Sequence, residues 1–404
     1  MSFSQAVSGL NAASSGLDSI GNNIANSATN GFKGAHASFS DMFAGSGVGL
    51  GVNVAAISQN FKDGSITRTD RATDVAISGN GFFRLLDTNG DVVYSRDGEF
   101  HRDKSGNLVN NQGMMVSGFP AGMDANGNVT IQTGGVPQPL NVPTDMMDAK
   151  ASAKGELTIN LNSDDKVPTV TTFDPDNPDS YNFSTTMTAY DSQGNTHEVA
   201  VYFIKTADNK WDVKAKDSTD TTSAVKDLGA MEFDGNGKLV GTADFKFNYK
   251  GLNGANDGEI ELSLNKTRQQ KVTESSVSKI DVDGYQSGEY TSFKIENDGT
   301  ITASYSNQQK RTVGKMALSS FANPNGLASQ GGNVWKATNA SGNPMDGVPG
   351  TGQFGNLTGG ALEASNVDMS QELINMIVMQ RNYQSNSQTI KTQDQMLQTL
   401  VNLR

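Results

Sequence analysis

The spacing of hydrophobic and polar positions changes twice along this chain. From Asp368 to Asn402 neither Pro nor Gly occurs, and apolar residues recur at Met369, Leu373, Met376, Tyr383, Ile390, Leu397 and Val401. The steps alternate between four and three, with polar gaps at Gln380, Ser387 and Asp394. That repeat predicts a helix with a heptad seam, roughly 50 Å long at about 1.5 Å per residue. Phe3, Val7, Leu10, Leu17 and Ile24 repeat the spacing over residues 2–24. With Leu373, Met376, Tyr383, Ile390, Leu397 and Val401 they form the candidate self-assembly set. A plain core helix pair is the alternative; the polar gaps favour a seam between copies. Gly9, Gly16 and Gly21 interrupt the first helix, each costing about 1 kcal/mol relative to Ala. Both ends are therefore expected to lack structure in an isolated subunit and to fold when copies associate.

Between the ends the period falls to two. Asp74–Ser78, Gly81–Leu86, Val92–Ser95 and Leu108–Val109 read as short strands, as do Leu157–Leu161, Thr185–Ala189, Glu198–Ile204, Phe245–Tyr249 and Glu259–Leu264. Strands resume at Tyr290–Ile295, Thr300–Tyr305 and Val313–Phe321. Residues 22–60 read as a polar, Gly-rich connector. The expected fold is mainly β: nested β domains, sandwich- or barrel-like, inserted between N- and C-terminal α-helices that pair as a coiled coil.

Composition narrows the chemistry. The 404 residues are 18% charged with net charge −12, which argues against nucleic acid or an acidic membrane as partner. Cys is absent, so disulfides, thiol catalysis and thiolate metal sites are excluded. No apolar run approaches the ~18 residues that span a bilayer. The first basic residue is Lys33, so the start does not read as a secretory signal. Five Asp-led turns begin at Asp87, Asp103, Asp124, Asp191 and Asp234, but their Gly falls at position four and no Glu stands at position twelve. They read as hairpin turns and not as calcium loops. His36, His101 and His197 lack metal-pair spacing, no Gly-x-Ser-x-Gly elbow exists, and Gly45–Gly51 lacks the Lys-Ser/Thr of a phosphate loop. Neither an enzyme nor a cofactor is expected.

Three stretches carry a family resemblance. Gly21-Asn22-Asn23-Ile24-Ala25-Asn26 with Gly31-Phe32-Lys33 resembles the N-terminal signature of the bacterial flagellar rod and hook axial proteins, although Asn30 stands where many relatives have Pro. Leu362–Asp368, Gln380–Gln384 and Thr399–Arg404 resemble the C-terminal signature. Asp74–Ile77, Gly81–Phe83 and Tyr94-Ser95-Arg96-Asp97-Gly98 resemble the shared β domain. The resemblance implies a terminal helical domain (1–24 with 370–404) and a connector (25–70 with 358–369). It also implies an inner β domain (71–144 with 284–357) and an outer one (145–283). That middle insert favours the hook branch, a curved flexible tube that transmits torque and encloses the export channel, over the shorter distal rod subunits. A surface adhesin or enzyme is the more distant alternative.

The implied partners are further copies of the chain in a helical tube, the distal rod subunit, the hook cap and hook–filament junction proteins, and the flagellar type III export apparatus. No nucleic acid and no membrane insertion are implied, and the implied location is outside the cell. Phe39-Ser40-Asp41-Met42-Phe43 matches the apolar-spaced motif of early export substrates through Phe39 and Phe43.

Overall fold

The computed structural model describes residues 3–42, 49–123 and 129–402. The chain divides into two compact units, one formed by residues 1–143, 292–304 and 310–404, the other by residues 144–291 and 305–309.

The first unit begins with helix α1 (Phe3–Ala25) and contains helix α2 (Met369–Asn402). Both ends are thus helical in the folded chain. The reason lies within the same chain. Residues expected to be a loose connector instead form an antiparallel hairpin, strands β1 (Ala35–Met42) and β2 (Gly51–Gln59), with Ala35 opposite Gln59 and Met42 opposite Gly51. The hairpin packs along α1 and gives it a partner. Its sequence hid it: β1 is built from small and polar residues around a single Phe39. Strand β3 (Ile66–Arg68) then pairs antiparallel with Ala361–Glu363.

The β part of this unit follows the expected period. Phe82–Leu86 pairs with Val92–Ser95, which pairs with Val334–Lys336, and Met115–Met123 joins the opposite side. Phe82, Tyr94, Phe321 and Trp335 form a buried aromatic cluster in edge-to-face contacts. Trp335 Nε1 donates to Gln59 Oε1 at 2.6 Å, so the hairpin's far end is tied to this cluster.

The second unit is a sandwich. One sheet is the meander Phe183–Tyr190, Thr196–Ala207, Lys210–Asp217 and Lys226–Glu232; the other is built around Lys154–Asn162. Leu157, Ile159 and Leu161 alternate inward, as do Val199, Val201 and Phe203, and Trp211, Val213 and Ala215. Strict alternation from two facing sheets fills one core.

Four of the five Asp-led turns share one geometry. The carboxylates of Asp87, Asp103, Asp191 and Asp234 each accept backbone N–H groups two and four residues on. Gly90, Gly106, Gly194 and Gly237 take positive φ between those donors, where a side chain would be strained. The turn at Asp124 lies outside the described residues.

Candidate assembly interface

Helices α1 and α2 run antiparallel, and their contacts repeat every seven residues. A Cβ on Gly9 would sit 2.7 Å from Asn386 Nδ2, and one on Gly16 would sit 3.3 Å from Met379 Sδ. Asn23 Nδ2 donates to Glu372 Oε1 at 3.0 Å. The covered stripe of α1 is Ala6, Gly9, Ala13, Gly16, Ile20 and Asn23, all but Gly9 fully buried. Small side chains let the backbones approach closely, which is the physical return on the helical propensity that glycine loses.

The expected seam lies one residue away. Val7, Leu10, Leu17 and Ile24 are each one position past Ala6, Gly9, Gly16 and Asn23, and they are half-buried; Phe3 is exposed. On α2 the offset is smaller, about 40° for Met376, Tyr383 and Ile390, each four residues past a contact position, and about 100° for Leu373. Glu372, Met379 and Asn386 meet α1, whereas Leu373 and Tyr383 are exposed and Met376 and Ile390 half-buried. Leu397 and Val401 are exposed too, Val401 to 73%. Ile374, Ile377, Val378 and Met396 widen this uncovered apolar surface. Periodicity located the helices and their apolar stripes but not which stripe the chain covers for itself. Phe39 lies between the helices, its ring 3.4 Å from the place of a Gly16 Cβ; Phe43 lies outside the described residues.

The base of the helix pair is fastened by polar groups that sequence reading passed over. Buried Asn23 donates to Ala35 O and accepts from Ala35 N, both at 2.8 Å, using its amide fully. Asn366 accepts from Gly34 N at 2.9 Å and donates to Asn60 O and Lys62 O. Beside it, Lys33 Nζ lies 2.7 Å from Glu363 Oε1 with both side chains 0% exposed. Arg96 contacts Glu363 Oε2 and Asp63 Oδ1, each at 3.3 Å, and lies over the Phe82 ring. Burial pulls the Lys33 ammonium below its usual range, against the opposing pull of Glu363. Gly31 donates to Glu363 O, and its φ of +67° and the closeness of Asp97 N leave no room for a side chain. The three stretches that carry the resemblance therefore meet at one junction.

Among the described residues no group of His, Cys, Asp or Glu is arranged to hold a metal ion, and no helix is long and apolar enough to cross a membrane. His36 and His101 are exposed, while His197 is buried in the second unit, 2.6 Å from Asp217.

Family models match in four places: a flagella basal body rod protein segment at 4–33, the D1 domain of flagellar hook protein FlgE/F/G at 76–159, the flagellar basal body protein FlaE D2 domain at 160–285, and the basal body rod FlgEFG C-terminal segment at 358–403. The chain is 53% identical to the flagellar hook protein FlgE of Escherichia coli strain K12 over 405 residues, covering 100% of both chains. The chain belongs to the FlgE family of flagellar hook proteins. FlgE of Rhizobium meliloti is 32% identical, with 98% of this chain and 97% of that one covered. The crystal structure of Helicobacter pylori flagellar hook protein FlgE2 shares the fold, with a TM-score of 0.54 at 16% identity over 74% of this chain and 100% of that one. The FlgE-family segments at 4–33 and 358–403 coincide with the helix pair and its charged base. The D1 match ends at 159, inside the strand Lys154–Asn162 that belongs to the second unit's core.

Proposed function

We propose that this chain is a structural subunit of the bacterial flagellar hook, assembling with further copies into a curved, flexible tube that passes torque from rod to filament and encloses the export channel. The observation that carries the reading is the uncovered apolar stripe of α2. Leu373, Tyr383, Leu397 and Val401 stand exposed on a 34-residue helix whose own-chain partner takes the adjacent stripe. Leaving such a surface in water is costly at about 25 cal/mol per Å². Copies of the same helix pair, packed around a common axis, cover it. Met376 and Ile390, with Val7, Leu10, Leu17 and Ile24 of α1, flank the stripe and join the contact. Phe3 continues it at the start of α1.

The role involves no chemical step and no cofactor. Finer divisions follow the same reading: residues 1–24 with 370–404 as the tube wall, 25–70 with 358–369 as connector, 71–144 with 284–357 as inner β domain and 145–283 as the outermost. The further partners are the distal rod subunit, the hook cap and the hook–filament junction proteins. Delivery runs through the type III export apparatus to the outside of the cell with no signal cleavage, and Phe39 with Phe43 is the candidate export motif.

The test is removal of 370–404. The shortened chain is expected to keep its β structure by circular dichroism and to form no polymer under conditions where the full chain gives curved tubes in negative-stain images. Filaments from the shortened chain would sink the assignment of α2, and straight rods from the full chain would sink the hook.

A further inference from the structure

The geometry points to the Lys33–Glu363–Arg96 cluster as a conditional closure: the junction reaches charge balance, and so closes, only when the segment 361–366 has docked. Glu363 lies 330 residues from Lys33 and 267 from Arg96, yet its carboxylate touches both. Without it the buried groups are two cations. Asp63 is the remaining carboxylate at the cluster and is 42% exposed, so water screens it. A buried charge that loses its partner is far more costly than a pair that was never there.

The rest of the segment depends on the same event. Gly64 N donates to Glu363 Oε1, Gly31 N to Glu363 O and Ala364 N to Ser65 O, and β3 has Ala361–Glu363 as its partner. Gly31 N, Gly64 N, Ser65 O and β3 all belong to residues 30–68, and each waits on residues 361–366. Asn366 then binds Gly34, Asn60 and Lys62, and Glu372 reaches Asn23, so closure propagates from the charge cluster into the base of the helix pair. A chain that has not yet delivered this segment holds the junction open and α1 unregistered. The consequence for polymer growth rests on the hook reading above: complete subunits present a registered helix pair, and incomplete ones do not.

Charge balance is separable from packing by a double substitution in the full chain. In Glu363→Gln, hydrogen exchange at residues 61–68 and 361–366 is expected to accelerate about 100-fold or more, with residues 154–282 unchanged. Adding Lys33→Met removes the second buried cation and leaves Arg96 beside the partly exposed Asp63, so the like-charge pair is gone and protection should return to within about tenfold of the parent. Seeded growth onto preformed polymer should fail for the single variant and recover for the double. If Glu363→Gln keeps parental protection, or the double variant exchanges faster than the single, the closure is not set by charge and the inference falls. If protection behaves as stated but the single variant elongates normally, closure does not gate assembly. Parent protein that never elongates would count against the hook reading and leave the exchange result standing.

Discussion

Asp97 shows how a single side chain at the junction makes stability depend on pH. Burial raises its carboxyl to about 6 from 3.8, and the neighbouring carboxylates of Glu99 and Asp74 push the same way, while the Glu99 N–H opposes them. The folded state therefore holds a proton that the unfolded state releases between about pH 4 and 6. Its contribution is full below that window and is lost as pH rises through 6. Asp97→Asn should flatten the dependence and raise the urea midpoint at pH 7, read by Trp335 fluorescence in a Trp211→Phe background; an unchanged slope between pH 4.5 and 7 would refute this. Gly31 offers a sharper case. Its φ of +67° and the Asp97 backbone nitrogen 2.5 Å from where a Cβ would sit forbid any side chain. Gly31→Ala should cost about 3 kcal/mol in the same urea assay.

At the scale of elements, the glycines of α1 divide by what they face. Gly9 and Gly16 meet α2, but a Cβ on Gly21 would find nothing within 4 Å. Gly21→Ala should therefore stabilise α1 by about 1 kcal/mol, seen as slower amide exchange over residues 17–25, whereas Gly16→Leu should loosen the pair. The elements differ in how openly the chain declares them. Alternation at 157–161 and 211–215 faces a dry core, and such strands declare themselves from side-chain pattern alone, whereas 199–203 is a continuous apolar run buried on both faces. The hairpin β1–β2 does not declare itself, because its strands are largely exposed, β1 is mostly small and polar, and the apolar Val52, Val54 and Ile57 of β2 lose strict alternation across Ala55 and Ala56. The helix seam was half legible. A heptad repeat gives the interval of contacts, and that interval of seven is what the structure shows. Its phase depends on which stripe finds a partner first, and small residues such as Ala13 and Gly16 carry no hydropathy signal strong enough to announce themselves. The charged junction left no local trace, since Lys33, Arg96 and Glu363 are brought together by topology.

At the scale of the whole molecule, the second unit owns its core. The strands from Lys154 to Val282 pair among themselves, and among the described residues the cluster around Trp211 draws on none outside 157–282. Deleting 145–283 should leave the helix pair and its junction intact, so polymer should still form while its curvature or stiffness changes in electron micrographs; a folded but non-polymerising chain would show that the insert takes part in nucleation. At this scale the legible part lies in the signatures, whose resemblance implies that the two ends form one helical domain, whereas no periodicity indicates how one subunit meets another.

The offset seam has one mechanical consequence. Ala and Gly on α1 leave shallow notches, and Asn386 and Met379 of α2 sit against them, so sliding one helix along the other meets a step at each repeat of seven. At its base the pair is pinned by Asn23–Glu372 and the ion cluster. A helix of 23 residues is about 35 Å long. Clamped at the base and stepped along its length, α1 turns together with α2 and the hairpin as one lever: a rotation of a few degrees at the clamp becomes ångström-scale travel at the far end, where Phe3 stands.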